Sequence, residues 1–73
     1  MNYAAAITQL RTQAGMSQRE LATRLGCDPS YICVLEAGRR LPSLAFVDRL
    51  AKTLRLWPIQ FFTAADRLGD RNK

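Results

Sequence analysis

The sequence predicts an all-α protein, a compact bundle of five short helices. Apolar residues recur at the three- and four-residue spacing of a helix, with no alternating strand pattern. Helix-capping residues such as Ser17 and Asp28 precede these stretches, and glycines follow them at positions 15, 26 and 38. A chain of 73 residues forms one small domain. We therefore expect a single domain over residues 1–68, followed by a frayed polar tail at 69–73.

The first two helices are predicted from their stripes and caps. Asn2 is the expected N-cap of the first helix and Gly15 its stop. The apolar stripe between them consists of Tyr3, Ile7, Leu10 and Ala14. Ser17 stands three residues before Glu20, which is the spacing of a capping box, so a second helix begins there and runs to about Leu25.

The remaining helices carry equally local signals. Asp28 is the expected N-cap of a third helix over roughly 29–37, with Pro29 at its first position and Gly38 after its end. Ser43 caps a fourth helix and Pro58 opens a fifth. The predicted stripe of the fourth helix is Leu44, Val47, Leu50, Ala51 and Leu54. The fifth helix carries Ile59, Phe61, Phe62, Ala65 and Leu68.

Helices two and three are separated by about three residues, one of which is Gly26. So short a connection makes the two helices pack at a steep angle, which predicts a helix-turn-helix at about residues 17–38. Ala22 is small enough to let the helices approach each other. Four larger apolar residues are available to fill the angle between them: Leu21, Leu25, Ile32 and Leu35.

The net charge indicates an anionic partner. Eleven Lys and Arg against six Asp and Glu give +5 at pH 7, which suits nucleic acid or a membrane surface. No apolar run approaches the roughly 20 residues that a spanning helix needs, and the first residues lack the features of a secretory signal. We therefore expect a cytoplasmic protein that does not enter a membrane.

Catalysis, cofactors and metals are not expected. The chain has no His to act as a general base near neutral pH, and it has no glycine-rich phosphate loop. Cys27 and Cys33 match no usual zinc spacing, and six residues of helix hold them too far apart for a disulfide. The sequence predicts two free thiols and no small-molecule substrate.

A long segment, MSQRELATRLGCDPSYICVLEAGRRLPSL, resembles the Cro and phage-repressor type of helix-turn-helix domain, the XRE family. The resemblance covers about residues 5 to 62 and includes the motifs S-Q-x-E-L-A-x-x-L-G, Y-I-x-x-L-E-x-G, R-x-P-S-L and a late F-F. It implies a lambda-repressor-like fold and a transcriptional regulator of double-stranded DNA, with the third helix in the major groove. Relatives of this type bind two-fold symmetric operators as homodimers, and repression is the expected mode.

The resemblance also implies roles for individual residues. Arg11 and Glu36 match a pair that ties helix one to the end of helix three without touching DNA. The candidates for phosphate contacts are Gln18, Arg19, Tyr31, Arg39 and Arg40. Gln18 also matches a position that braces the third helix. The alternative for Gln18 and for the two loop arginines is an ordinary solvated side chain.

The expected groove-facing positions depart from the residues usual in this family. They are Pro29, Ser30, Cys33 and Val34. None offers the two-point grip on guanine or adenine that Arg, Asn or Gln provides. Direct reading of bases should therefore be limited to methyl groups, single hydrogen bonds and DNA shape, with affinity supplied by the flanking cations.

Two further hypotheses concern interfaces. An apolar dimer surface is expected on the last helix, whereas Phe62 is expected to point into the core; Trp57 could instead lie across its own domain. The predicted dimer residues are Trp57, Ile59, Phe61 and Leu68. The weak base-reading face also leaves open a second function, a protein-interaction module on the same fold. Cys33 is either a redox switch or simply a small side chain.

Overall fold

The computed structural model describes residues 1–69, which fold into five α-helices, as the sequence predicts. The frayed tail predicted for the C-terminus falls, apart from Gly69, outside the described residues. Within the described part, no helix is long and apolar enough to cross a membrane. The helices are α1 (Tyr3–Gln13), α2 (Gln18–Leu25), α3 (Pro29–Glu36), α4 (Leu44–Thr53) and α5 (Pro58–Leu68).

The predicted caps set these boundaries. The Asn2 side chain accepts a hydrogen bond from the Ala5 amide at 3.0 Å, and the Ser43 hydroxyl accepts one from the Phe46 amide at 3.0 Å. Ser17 and Glu20 form both bonds of the capping box, at 3.0 and 2.7 Å. Each bond satisfies an amide that a helix start would otherwise leave unpaired. Local sequence therefore determines where these helices begin.

A single core joins all five helices. α1 packs against α5 and α3, α2 against α3 and α4, and α4 against α5. The buried cluster consists of Ala6, Ile7, Leu21, Ala22, Leu25, Ile32, Leu35, Phe46, Val47, Leu50, Phe61 and Ala65. The Asn2 amide donates to the Ala65 carbonyl at 2.9 Å, so the start of the chain is fixed to α5. This packing leaves one face of α3 outside the core.

The stripe predicted for α4 is wrong at its first position. Leu44 is 78% exposed, and Phe46 is buried instead. Phe46 lies one turn before Leu50 on the buried side of α4, whereas Leu44 is the first residue of the helix. The Phe46 ring meets Tyr31 edge to face at 5.8 Å between centroids. Phe46 thus links α4 to the third helix, a contact that spacing within α4 alone does not reveal.

Candidate nucleic-acid interface

The turn between α2 and α3 has the geometry that the sequence predicts. Gly26 adopts the left-handed conformation with φ 74°, which is accessible to glycine at little cost. The Cys27 amide then donates back to the Ala22 carbonyl at 3.0 Å and closes the helix end. Ala22 is fully buried and packs with Leu25 and Ile32 between the two helices. α2 and α3 therefore form a helix-turn-helix.

Arg49 of α4 supports this turn, a role that was not predicted from the sequence. Its Nη2 donates to the Leu25 carbonyl, one of the unpaired acceptors at the end of α2. A cation at this place also complements the partial negative charge of a helix C-terminus. The signal in the sequence is only one more arginine on an amphipathic helix, so nothing local points to this role.

One face of α3 is exposed and uncharged. Ile32 and Leu35 are buried, while Ser30 and Cys33 are exposed on the opposite side. The other two predicted groove-facing residues, Pro29 and Val34, are partly buried. All four lie on α3, and none carries a charge. The side chains on this face are short, so another surface can approach the helix closely.

Asp28 and Ser30 are hydrogen-bonded at the beginning of this face. One carboxylate oxygen, Oδ1 of Asp28, accepts both the Ser30 amide and the Ser30 hydroxyl, each at 2.8 Å. These two bonds, together with the nearby charge of Arg19, hold the pKa of the Asp28 carboxyl below its usual range. Asp28 is therefore an ionised N-cap at neutral pH, as its position before Pro29 predicts.

Two cations lie near the beginning of this face, Arg40 and Arg19. Arg39 and Arg40 follow Gly38 and are exposed. The Arg40 guanidinium lies over the ring of Tyr31, 5.9 Å from its centroid, so it is directed toward α3. Tyr31 itself is half-buried against Phe46. Arg19 is exposed at the start of α2, close enough to Asp28 to influence its ionisation.

The predicted bridge between Arg11 and Glu36 is present. Arg11 Nε and Nη2 donate to the two oxygens of Glu36 at 2.7 and 3.0 Å, and Nη1 donates to the Met16 carbonyl at 2.8 Å. Gln18 Nε2 donates to Glu36 Oε1 at 3.0 Å. The network joins α1, the turn after it, the start of α2 and the end of α3. Gln18 thus braces α3 as the resemblance implies, while its contact with phosphate stays a prediction.

The environment of Glu36 keeps it ionised. Burial alone would raise the pKa of this carboxyl, but hydrogen bonds from Arg11, Gln18 and Thr8 and the charge of Arg11 outweigh burial and lower it. Only 7% of the Glu36 side chain and 13% of the Arg11 side chain are exposed. The orientation of α3 therefore depends on a sheltered ion pair.

Two of the four residues predicted for the dimer surface are exposed, and the dimer itself stays a prediction. Trp57 and Ile59 are 76% and 67% exposed, but Phe61 is 1% exposed and belongs to the core. Its ring stacks on Tyr3 at 6.0 Å, because α5 turns this residue toward α1. Phe62, expected in the core, is only partly buried, as is Leu68. Assigning Phe61 to an exposed patch was wrong, and the patch reduces to Trp57 and Ile59.

The two thiols differ in surroundings. Cys27 packs against the core, and burial raises the pKa of its thiol. Cys33 is exposed on the outer face of α3. Both are free, as the six-residue spacing predicts. The redox role considered for Cys33 stays a hypothesis.

Comparison with known proteins agrees with this geometry. A family model described as a helix-turn-helix domain matches residues 3–59. An uncharacterized HTH-type transcriptional regulator of Methanothermobacter thermautotrophicus is 42% identical over 48 residues, 66% of this chain and 70% of that protein. Another from Sinorhizobium fredii is 33% identical over 58 residues, 80% and 75% of the two chains.

A solved structure shares both fold and sequence. The restriction-modification controller protein C.AhdI from Aeromonas hydrophila superposes with a TM-score of 0.77 at 37% identity, covering 82% of this chain and 91% of that chain. The match extends well beyond α2 and α3 and includes most of the five-helix bundle. We conclude that the chain belongs to the helix-turn-helix family of DNA-binding transcriptional regulators, as its XRE-type motifs predict, and that it is not an enzyme.

Proposed function

We propose that this protein represses transcription by binding a two-fold symmetric operator as a homodimer, with α3 of each subunit in the major groove. The observation that carries the proposal is the exposed, uncharged face of α3, with the Arg40 guanidinium over Tyr31 in its first turn and the charge of Arg19 near its N-cap Asp28. An α-helix fits the major groove, and flanking cations neutralise phosphates. Occupying an operator excludes other proteins from the same DNA, so repression needs only the binding described.

Salt-dependent binding to duplex DNA tests this proposal. Fluorescence anisotropy of a labelled mixed-sequence duplex, titrated between about 50 and 200 mM salt, should give a steep linear fall of log K with log salt. A reporter gene with the selected operator placed over its promoter should then be silenced by the protein. A protein-interaction module on the same fold would show no salt-sensitive binding to any duplex, and that result would reject the proposal.

Arg40→Ala is expected to weaken binding to all duplexes alike. The Arg40 guanidinium lies beside the first turn of α3, where a helix in the groove would approach the phosphates. Loss of one phosphate contact lowers the slope of log K against log salt by about one unit. Lys52→Ala is the matched control, because it removes the same charge from an exposed position on α4, away from the proposed DNA and dimer surfaces. Equal slopes for the two variants would contradict the role of Arg40.

Val34→Ala is expected to change base preference rather than overall affinity. Val34 lies partly exposed on the outer face of α3, where its methyl groups suit contact with a thymine methyl. Selection of duplexes from a random pool should show thymine preferred at one position by the unaltered protein and a weaker preference, by about fivefold, in the variant. An unchanged preference with uniformly reduced affinity would rule out this contact.

The homodimer is proposed from Trp57 and Ile59. They are the large exposed apolar residues of α5 and its N-cap. Their sequence neighbours Leu56 and Gln60 line a groove of about 400 Å³ between α1 and α5. Trp57→Ala should weaken self-association by about tenfold or more, as expected for a buried aromatic anchor. Leu41→Ala, which alters an equally exposed apolar residue in the loop before α4, should not. Sedimentation at micromolar concentration measures self-association of the unaltered protein and of both variants. If the unaltered protein is a monomer there, the dimer is excluded.

A further inference from the structure

Ser30 has unusual hydrogen-bonding constraints for a residue on a base-reading face. Its hydroxyl oxygen lies 2.8 Å from Oδ1 of Asp28. The ionised carboxylate has no hydrogen to give, so the hydroxyl must be the donor in this bond. The Ser30 amide donates to the same oxygen. Both donors of Ser30 are therefore used within the protein, and only the lone pairs of the hydroxyl oxygen remain for an outside partner.

We propose that Ser30 is a specificity-determining acceptor that pairs in the major groove with an exocyclic amine, adenine N6 or cytosine N4, and not with guanine. This inference rests on the proposed entry of α3 into the groove. In that groove guanine presents the acceptors O6 and N7 and needs a donor, whereas adenine N6 and cytosine N4 donate. An acceptor held in place by Asp28 therefore matches the amines adenine N6 and cytosine N4, and it repels the guanine acceptors O6 and N7.

The neighbouring residues favour adenine over cytosine. Cys33 and Val34 follow Ser30 by three and four positions, which places them on the same side of α3. Their small apolar surfaces suit the methyl group of thymine, which a G·C pair lacks. A face that combines one acceptor with apolar contacts is complementary to A·T pairs, which offer both an amine and a methyl group.

Asp28 keeps the Ser30 hydroxyl from turning around to donate to DNA. Rotating the Ser30 hydroxyl toward a guanine acceptor would break a bond to a charged group, and such bonds are stronger than neutral ones. It would also leave the carboxylate facing DNA with one partner fewer. The preference is therefore a property of the pair Asp28 and Ser30 and not of serine alone.

The test uses the full chain and duplexes first selected from a random pool. In the selected duplex each adenine is replaced in turn by purine, which lacks the 6-amino group, and affinities are measured at one salt concentration. We expect one position at which loss of the amine weakens binding by about fivefold in the unaltered protein and not at all in Ser30→Ala. That variant keeps the hydrogen bond from the backbone amide of residue 30 to Asp28, and hence the helix cap. Thr12→Ala, which removes an exposed hydroxyl from α1, should leave the fivefold effect intact.

Asp28→Asn provides a second, independent readout. Asparagine is also a good N-cap, so α3 should form normally. The asparagine oxygen can still accept the Ser30 hydroxyl, but as a neutral acceptor it forms a weaker bond, so the hydroxyl can turn toward a guanine acceptor at lower cost. The penalty for guanine at the same position should therefore fall severalfold. If every adenine replacement has the same effect on the unaltered protein and on Ser30→Ala, or if guanine is preferred at that position, the inference is overturned. If no duplex is enriched and binding does not respond to salt, the proposed function fails and this inference with it.

Discussion

Replacing Glu36 with alanine is expected to lower the free energy of unfolding by about 3 kcal/mol, a large part of the total for a domain of this size. The carboxylate accepts hydrogen bonds from Arg11 at 2.7 and 3.0 Å and from Gln18 at 3.0 Å, and its side chain is only 7% exposed. Its removal leaves the Arg11 guanidinium sheltered from water without its counterion, which costs more than the loss of the bonds themselves. Chemical denaturation with urea measures the change.

The matched control lies on the surface of α4. Asp48 and Lys52 form an ion pair at 3.1 Å, but their side chains are 51% and 77% exposed. Water and salt screen such a pair, so Asp48→Ala should cost less than about 0.5 kcal/mol. Similar losses for the two variants would show that the bridge to Glu36 is no more than a surface contact.

The same bridge predicts how stability depends on pH. The pKa of Glu36 is lowered in the folded protein, so the folded state binds a proton there less readily than the unfolded state does. Its stabilising contribution is complete above the unfolded-state pKa of about 4.3 and is lost as the pH falls through the lower, folded-state value. Glu36→Gln should therefore remove part of the acid sensitivity. Urea titrations at pH values from neutral down to acid check the sign.

Local signals explain why the helix boundaries were predictable. Asn2, Ser17, Asp28 and Ser43 each cap the helix expected of them, since a capping bond spans only two or three residues. The position of Gly26 in the turn follows equally from its own backbone freedom. Features that depend on a few consecutive residues can be derived without knowing what packs against them.

Polar contacts between side chains of different helices were predictable only where a family motif carried them. The bridge from Arg11 to Glu36 spans 25 positions and came from the resemblance, not from spacing. Arg49 makes an equally specific bond to the Leu25 carbonyl, 24 positions away, yet nothing in the sequence distinguishes it from other exposed arginines. The hydroxyl orientation of Ser30 likewise depends on which atom faces it. Such details require the relative placement of side chains.

The assignment of Phe61 shows the same limit within one helix. Two consecutive phenylalanines differ by about 100° around α5, so one must face the core more directly than the other. Periodicity does not distinguish the two, and the sequence leads us to expect Phe62 in the core. In the structure the Tyr3 ring stacks on Phe61 at an interplanar angle of 6° and meets Phe62 edge to face, and this contact places Phe61 in the core. An aromatic partner at the other end of the chain thus fixes the rotation of α5.

Phe61→Ala is accordingly expected to be the most destabilising single change, lowering the free energy of unfolding by about 4 kcal/mol. Phe61 is the largest of the fully buried side chains, and alanine would leave a cavity between α1 and α5 that Tyr3 and Phe62 can fill only in part. Phe61→Leu, which keeps most of the volume, should lose less and remain measurable if the alanine variant does not fold.

Ile59→Ala is the control on the same helix. Ile59 is 67% exposed, so its truncation should change the free energy of unfolding by less than about 0.5 kcal/mol. Self-association, in contrast, should be weakened by Ile59→Ala and not by Phe61→Leu. Urea denaturation and sedimentation separate the two effects. If Phe61→Leu weakened self-association while leaving the stability of the monomer unchanged, the residue would belong to the dimer surface after all, and α5 would have to be rotated so that Phe62 faces the core.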